Sequence, residues 1–168
     1  MTIMRKKIQI VLQLLIFTLC ASLQYGQVDY LRISANVEPL KIKQGNEGIL
    51  KIKITPKAGY KISTHPEFII KLDQNNNLSF SKLFFKASEL DFQTKQENGT
   101  VLLELEEKEV EIRFKVNDDS LLGKQTIRGE IIFTAVNKKD NWALKTYQRF
   151  NTEFSSRQNR NIKLTKRK

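Results

Sequence analysis

The segment from Thr100 to Val116 reads TVLLELEEKEVEIRFKV, and apolar side chains occupy every second position through most of it. Such alternation predicts β-strands with one buried face and one solvated face. The alternation changes phase after Leu105, so a hairpin closing through Glu106 to Glu109 would place both apolar sets on one face. That hairpin would pair Leu105 with Val110, Leu103 with Ile112 and Val101 with Phe114. We therefore predict a β-hairpin here.

The same alternation continues on both sides of this segment. Five further strands are predicted, at Leu31 to Val37, Leu50 to Ile54, Phe68 to Leu72, Lys124 to about Val136, and through Tyr147, Phe150 and Phe154. No stretch has a sustained helical period, although Ser81 to Leu90 could hold a helical turn. About seven to nine short antiparallel strands predict an all-β fold, an immunoglobulin-like two-sheet antiparallel sandwich.

Turn residues separate these strands. Asn75, Asn76 and Asn77 follow one predicted strand, and Asn98-Gly99 stands immediately before the quoted segment. Asn98 also begins a glycosylation sequon, but Asn-Gly is a strong signal for a two-residue hairpin turn. We favour the turn.

The first residues have the layout of a signal peptide. Arg5 to Lys7 are basic, Ile8 to Cys20 are mostly apolar, and small residues follow. The apolar run is shorter than the roughly 20 residues of a membrane-spanning helix. Residues 1–26 are therefore predicted to be removed, and the protein to be periplasmic or secreted. Lipid attachment at Cys20 is the alternative, which the bulky Leu19 before it disfavours.

Positive charge is concentrated at the two ends of the chain. The formal net charge is +11. The signal segment carries three of these charges and the tail six, which leaves +2 for the residues between. The six basic tail residues are Arg157, Arg160, Lys163, Lys166, Arg167 and Lys168.

The tail, residues 155–168, has no acidic residue and is predicted to be disordered. It could be attracted to an anionic membrane surface, to acidic polysaccharide or to nucleic acid, or it could be a solvated end that aids solubility. Nucleic acid is not an expected partner of the whole protein, because its body is nearly neutral.

Few residues could carry chemistry. The one cysteine, Cys20, lies in the predicted signal segment, so the mature chain has no thiol for a disulfide, a metal or a nucleophile. The one histidine, His65, precedes Pro66 in a predicted loop, without a nucleophile elbow elsewhere. Asp118 and Asp119 are typical of a solvated turn. We expect no catalytic residue, no metal site and no cofactor, and therefore no enzyme.

Two longer stretches carry a resemblance to a known family. GYKISTHPEF begins at Gly59, and GKQTIRGEIIFTAVNKKDNWALKTYQRF begins at Gly123. Together they resemble the N-terminal periplasmic domain of the thiol:disulfide interchange protein DsbD, also called a disulfide bond corrector domain. The resemblance covers roughly Val28 to Phe154, and we expect one domain over residues 28–154. It implies an immunoglobulin-like fold.

In that family two cysteines flank a short hairpin loop and exchange electrons with thiol proteins. The resemblance places the first at Val136 and the second near Trp142 or Ala143. Neither position is cysteine, so the family's redox activity is not expected. The family also shields its cysteines with an aromatic cap loop, and FFKASEL from Phe84 to Leu90 resembles that loop. Phe84 and Phe85 could equally be ordinary core or edge aromatics.

Exposed aromatic clusters often mark interaction surfaces. We therefore expect a surface that binds a protein partner of the cell envelope, and its candidate residues are Phe84, Phe85, Val136, Trp142 and Tyr147. Two functions follow. The first is a non-catalytic envelope module of the DsbD N-terminal type, and the alternative is an unrelated secreted β-sandwich surface or adhesion protein.

Overall fold

The computed structural model describes residues 29–105, 108–137, 139–140 and 142–160. Within them lie twelve strands and one short 3₁₀ helix, Ala87–Glu89, which falls inside the predicted helical turn. The strands are β1 (Leu31–Glu38), β2 (Lys41–Lys43), β3 (Glu47–Pro56), β4 (Tyr60–Ser63), β5 (Ile69–Leu72), β6 (Leu78–Phe80), β7 (Phe84–Lys86), β8 (Gln93–Glu97), β9 (Thr100–Glu104), β10 (Glu109–Val116), β11 (Gly123–Asn137) and β12 (Trp142–Arg157).

The strands form two sheets. The smaller sheet has the order β1-β3-β10-β6, and the larger has the order β2-β12-β11-β4-β9-β8, with β5 pairing with β11 beside β4, and β7 pairing with β5. In the smaller sheet the first strand pairs with the second long strand, as A pairs with B in immunoglobulin domains. In the larger sheet the last two strands, β11 and β12, correspond to F and G. The predicted immunoglobulin-like sandwich is confirmed.

The core lies between the sheets and is built from the alternating apolar residues. In β10 every second residue from Val110 to Val116 is buried. In β11 the inward positions include Ile131, Phe133 and Ala135. The rings of Phe114 and Phe154, one from each sheet, lie 5.4 Å apart between centroids. One apolar cluster therefore joins both layers.

The predicted hairpin between Thr100 and Val116 is wrong. β9 pairs with β8 and β4 in the larger sheet, whereas β10 pairs with β3 and β6 in the smaller sheet. The chain therefore crosses from one sheet to the other between Leu105 and Glu109. Both strands face the same core, so a crossing satisfies the apolar pattern as well as a hairpin does. Glu106 and Glu107 lie outside the described residues.

The turn at Asn98-Gly99 is confirmed as a tight hairpin. It joins β8 to β9, and Glu97 lies opposite Thr100. Asn98 has φ 49° and Gly99 has φ 77°. Two successive positive φ values are what a type I′ turn requires, and Asn-Gly adopts them at the lowest steric cost.

The domain extends three residues beyond its predicted end at Phe154. Ser155, Ser156 and Arg157 continue β12, where β2 pairs with all three and β11 with the first two. The amide of Ser155 donates to the Leu40 carbonyl oxygen at 2.9 Å. The first part of the predicted disordered tail is therefore strand, because backbone pairing on both sides outweighs its polar composition. Arg160 lies in a turn after it.

Other predictions for the ends of the chain lie outside the described residues. They concern the signal segment, residues 1–26, and the basic residues Lys163, Lys166, Arg167 and Lys168. In the part of the chain that the structure describes, no helix has the length and apolar character needed to cross a membrane.

Candidate binding surface

The two predicted cap residues lie on β7, at one side of the larger sheet. Phe85 is 8% exposed and belongs to the core, whereas Phe84 is 55% exposed. β7 is a strand that pairs with β5, and Phe85 lies opposite Ile70. Phe85 is therefore a core residue, and only Phe84 of this pair presents its ring to solvent.

Val136 and Trp142 lie on either side of the β11–β12 turn, where Val136 pairs with Ala143 and Asn137 with Trp142. The carboxamide oxygen of Asn137 accepts hydrogen bonds from the amides of Lys139 and Asp140, at 2.9 and 3.3 Å, and so fixes the turn.

Trp142 is half-buried in a cluster of three aromatic rings. Its ring lies 5.8 Å from that of Tyr30 and 5.9 Å from that of Tyr60 between centroids, and the two tyrosine rings are 5.0 Å apart at an interplanar angle of 83°. Edge-to-face packing of this kind adds to the stabilisation from area burial. Trp142 therefore anchors this end of the sandwich as well as contributing to its surface.

The predicted cap does not cover Val136 and Trp142. β5 lies between β7 and β11, and its Ile70 pairs with Phe85 on one side and with Ile131 on the other. Val136 is five residues further along β11, which corresponds to roughly 17 Å. The cap prediction is therefore wrong, because FFKASEL forms a strand and a 3₁₀ turn beside β5 instead of a loop over the β11–β12 turn.

Tyr147 lies on the face of β12 that points away from the core. Its side chain is 45% exposed. It pairs with Ile132, and the guanidinium carbon of Arg149 lies 5.7 Å from its ring centroid. The predicted surface residues thus occupy three places: β7, the β11–β12 turn and the outer face of β12.

A groove of about 510 Å³ lies beside the β11–β12 turn, and we call it the tip groove. Strands β4, β9, β11 and β12 contribute its walls. Its lining residues are Ser63, His65, Gly99, Thr100, Val101, Thr134, Val136, Trp142 and Ala143. Two of the predicted surface residues, Val136 and Trp142, are therefore brought together with His65, which sequence reasoning assigned only to a loop or an edge.

Hydrogen bonds hold one wall of the tip groove in place. The buried Ser63 hydroxyl donates to the His65 carbonyl oxygen and accepts from the His65 amide, each at 3.0 Å. The Thr64 hydroxyl donates to the Val101 carbonyl oxygen at 3.2 Å and lies 3.0 Å from His65 Nδ1. While the Thr64 hydroxyl donates its one proton to Val101, the contact with His65 requires Nδ1 to be the donor.

Thr134 forms part of the groove and lacks a hydrogen bond. It alternates with the core residues Phe133 and Ala135, so its side chain points to the outer face, opposite Ser63. Thr134 is nevertheless only 4% exposed, and its Oγ1 has no partner in the described part of the protein. A buried polar atom without a partner costs about 1–3 kcal/mol. A ligand group that reached this hydroxyl would recover that cost.

The tip groove also lacks fixed charge. The chain contains 29 Lys and Arg and 18 Asp and Glu among 168 residues, yet none of these types lines the groove. Depletion of charged residues together with an aromatic side chain is typical of the centre of a protein interface.

The outer face of the smaller sheet has a different character. Lys51 Nζ lies 2.8 Å from a carboxylate oxygen of Glu38 and 3.7 Å from those of Glu109 and Glu111. The hydrogen bond with Glu38, with added attraction from all three carboxylates, raises the pKa of Lys51 above its usual value. The charge of Lys51 is therefore compensated within the molecule, and the cluster as a whole has an excess of negative charge.

A second ion pair lies beside β7. Lys82 Nζ is 2.6 Å from a carboxylate oxygen of Glu89, and the Lys86 amide donates to the other at 2.8 Å. The hydrogen bond from Lys82, followed by that from Lys86, lowers the pKa of Glu89. Both side chains of the ion pair are exposed, and the arrangement closes the short 3₁₀ turn.

Within the described residues, no group of three histidine, cysteine, aspartate or glutamate side chains is arranged to hold a metal ion. The Ser63 hydroxyl bonds to the backbone of His65 and not to its ring. That the protein is not an enzyme stays a prediction.

No protein-family model matches the chain, and no curated protein matches it. Among solved structures, it is similar to BcpA, the major pilin subunit of Bacillus cereus, at 12% identity and a TM-score of 0.42, over 75% of this chain and 40% of the pilin. The chain thus spans well under half of that pilin.

A type I cohesin from Pseudobacteroides cellulosolvens aligns at 15% identity and a TM-score of 0.41, over 78% of this chain and 96% of the cohesin. AggA, the major subunit of aggregative adherence fimbriae type I from Escherichia coli, aligns at 11% identity and a TM-score of 0.33, over 77% and 97%. The assignment of the fold rests on the strand order described above.

The expected resemblance to the DsbD N-terminal domain is wrong. The similar structures are pilin, cohesin and fimbrial domains, and no family model supports a DsbD relationship. The motifs that suggested it, a GYxI strand start and a long β11–β12 hairpin, are features of the sandwich itself.

Proposed function

We propose that this protein is an exported, non-catalytic β-sandwich surface module that binds a protein partner through the tip groove. The observation that carries the proposal is an uncharged groove, with a buried hydroxyl that lacks a partner, on a molecule otherwise rich in charge. Export is supported by the signal-like layout of the first 26 residues. The function thus corresponds to a secreted surface or adhesion protein.

The structure of the groove suits contact better than catalysis. Its one imidazole uses Nδ1 to bond Thr64, and its buried serine hydroxyl is engaged by the backbone. The side chain of Thr100 and the apolar surface of Val136 and Ala143 face the groove, and the Thr134 hydroxyl, although buried, has no partner in the described part of the protein. Such a mixture offers hydrogen bonds and apolar area without a charged group to desolvate.

Site-specific crosslinking in the producing cells would test the proposal. A photoreactive residue in place of Val136 should crosslink to a defined partner, and the same residue in place of Thr126 should not. Thr126 is a matched control because it lies on the same strand and the same face and is also half-buried. The two positions are ten residues apart on the strand, about 33 Å.

Binding of the purified partner would then be measured by calorimetry. Val136→Lys places a charge in the groove and should weaken binding about tenfold or more, whereas Thr126→Lys should leave it nearly unchanged. Equal crosslinking at both positions, or full affinity of Val136→Lys, would contradict the proposal.

A further inference from the structure

Two adjacent leucines are exposed in the loop between β10 and β11. Leu121 is 70% exposed and Leu122 is 55% exposed. Hydrogen bonds hold this loop in place: the Leu121 amide donates to Asn77 Oδ1 at 3.1 Å, and the Leu121 carbonyl oxygen accepts from Gln125 Nε2 at 2.7 Å. A loop fixed in this way presents both leucine side chains to solvent.

The leucines lie beside the outer face of the larger sheet. They line a shallow recess of about 410 Å³ together with Lys124, Thr126 and Arg128 of β11. These three residues alternate with the buried Gln125 and Ile127, so their side chains point away from the core. The exposed apolar pair is therefore next to a charged part of the outer face.

Three further basic residues lie on the same face at this end of the sheet. β2 pairs in parallel with β12, so Lys43 lies opposite Arg157 and Lys41 lies opposite Ser155. The three basic side chains are exposed, and no ion pair joins them to a residue that the structure describes. Like charges opposite one another in a sheet repel. An anion between Lys43 and Arg157 would remove that repulsion.

The end of β12 brings the leucines and the basic residues together. Ser155 pairs with Lys124 of β11 on one side and with Lys41 of β2 on the other. Two strand spacings, about 10 Å, separate β2 from β11. We call this surface the basic corner. Its residues are Lys41, Lys43, Leu121, Leu122, Lys124 and Arg157.

The charge around the basic corner is positive. Lys124 Nζ is bonded to Glu153 at 2.7 Å. The acidic residues of the recess, the preceding turn and the neighbouring part of β12 are Asp73, Asp118, Asp119 and Glu153. The four basic residues of the corner, with Arg128 in the recess and Arg160 after β12, outnumber these acids. The sequence that follows Arg160 has four more basic residues and no acidic one.

The leucines distinguish a lipid bilayer from other polyanions. An acidic polysaccharide or a nucleic acid would bind the basic side chains and leave Leu121 and Leu122 in water. An anionic bilayer offers phosphate groups to the basic side chains and hydrocarbon to the leucines at the same time. Basic residues close to such a surface each contribute to attraction.

We propose that the basic corner docks the protein on an anionic lipid bilayer. Leu121 and Leu122 enter the boundary between headgroups and acyl chains, and a lipid phosphate lies between Lys43 and Arg157. The basic residues after Arg160 add to the attraction. The corner is at the opposite end of β12 from the tip groove, and the proposal does not depend on the function assigned to that groove.

A single fluorescent label would locate the contact. Cys20, the one cysteine, lies in the predicted signal segment, so Leu122→Cys carries the only label on the chain purified after export. With vesicles of phosphatidylglycerol and phosphatidylcholine, the emission of an environment-sensitive dye at this position should shift to shorter wavelength. The same dye at Leu144→Cys should not respond, because Leu144 is 46% exposed but lies near the other end of β12.

Sedimentation with the same vesicles would measure the contribution of charge. Lys43→Gln combined with Arg157→Gln should weaken binding about tenfold. Lys145→Gln combined with Arg149→Gln is the matched control, because it removes two exposed basic residues from the other half of β12 and should change binding little. Vesicles of phosphatidylcholine alone should bind the native chain weakly.

A second pair of substitutions would measure the contribution of the leucines. Leu121→Ser combined with Leu122→Ser should weaken binding to the anionic vesicles about tenfold, because less apolar area is buried. The same variant should bind heparin, a soluble polyanion, as the native chain does. Thermal melting of each variant shows that a loss of binding does not reflect unfolding.

Three results would overturn the proposal. The first is a dye at Leu122→Cys that does not respond while the protein sediments with vesicles, because the tail would then be the only contact. The second is full vesicle binding by the double serine variant. The third is binding to heparin without binding to anionic vesicles. Crosslinking from Val136 is measured separately, so failure of the tip groove would not be mistaken for failure of the basic corner.

Discussion

The outer faces of the two sheets differ in whether their polar side chains have partners within the molecule. On the smaller sheet Lys51 is surrounded by three carboxylates, so its charge is compensated inside the molecule. On the larger sheet the Thr134 hydroxyl is buried without a partner, and the groove around it has no fixed charge. The Lys51 charge on the smaller sheet therefore has its partners within the molecule, whereas the Thr134 hydroxyl on the larger sheet could still form a hydrogen bond with another molecule.

The largest effect is expected from adding a methyl group at a tightly packed glycine in each sheet, which tests how well each sheet accommodates it. A Cβ at Gly129, in the larger sheet, would lie 2.6 Å from the Lys71 carbonyl oxygen and 2.7 Å from the Phe150 ring. Because a backbone atom of a paired strand cannot move aside, Gly129→Ala should destabilise the protein by about 3 kcal/mol. Urea unfolding measures this.

Gly48→Ala, in the smaller sheet, is the comparison for that change. Its Cβ would meet Ile42 Cδ1 at 2.4 Å and Phe114 Cζ at 2.7 Å, both ends of side chains that can shift. We expect a smaller loss than for Gly129→Ala. Equal losses of stability in the two variants would mean that both sheets accommodate an added methyl group equally well.

A second substitution tests whether the Thr134 hydroxyl truly lacks a partner. Thr134→Val keeps the shape and removes the hydroxyl, and it should raise the free energy of unfolding by about 1 kcal/mol. Ser63→Ala, whose hydroxyl is bonded twice, should lower it by about the same amount. A loss of stability in Thr134→Val would show that the hydroxyl is satisfied in solution.

A smaller effect is expected from the Lys51 cluster, and it depends on pH. The folded pKa of Lys51 is raised above the unfolded value of about 10.4. Its stabilising contribution is therefore present below that pH and is lost as the pH rises through the folded pKa. Lys51→Met should flatten the decline in stability above about pH 10, with Lys145→Met as the control. An unchanged slope in Lys51→Met would argue against the cluster.

The smallest effect concerns the exposed pair of Lys82 and Glu89. The pKa of Glu89 is lowered, so its contribution is present above the unfolded value of about 4.3 and is lost as the pH falls through the folded pKa. Glu89→Gln should therefore change stability slightly near neutral pH and not at all in strong acid. A difference that persists in strong acid would point to altered packing.

The sequence pattern was sufficient for the strands with clear alternation, such as β1, β3 and β11, because burial of one face imposes that period. The pattern was not sufficient to predict which strands pair with each other. The wrong hairpin at Thr100 to Val116 shows why: in a sandwich, strands from opposite sheets face the same core and have the same pattern. β2, β6 and β7 have three residues each, too few for a period to show.

The site was predicted only in part for the same reason. Val136 and Trp142 were identified, but Trp142 packs on Tyr30, more than a hundred positions earlier in the chain. The unsatisfied hydroxyl of Thr134 depends on what surrounds it, which no local pattern records. The one available signal was the position of Thr134 within the apolar stretch IIFTAV.

The length of β12 determines where the two ends of the chain emerge. Its 16 residues extend from the tip groove to Arg157, about 50 Å away. Tyr30 enters beside Trp142, at the groove. The chain therefore enters at one pole of the domain and leaves at the other. A partner bound in the tip groove would therefore lie about the full length of the domain away from Arg157.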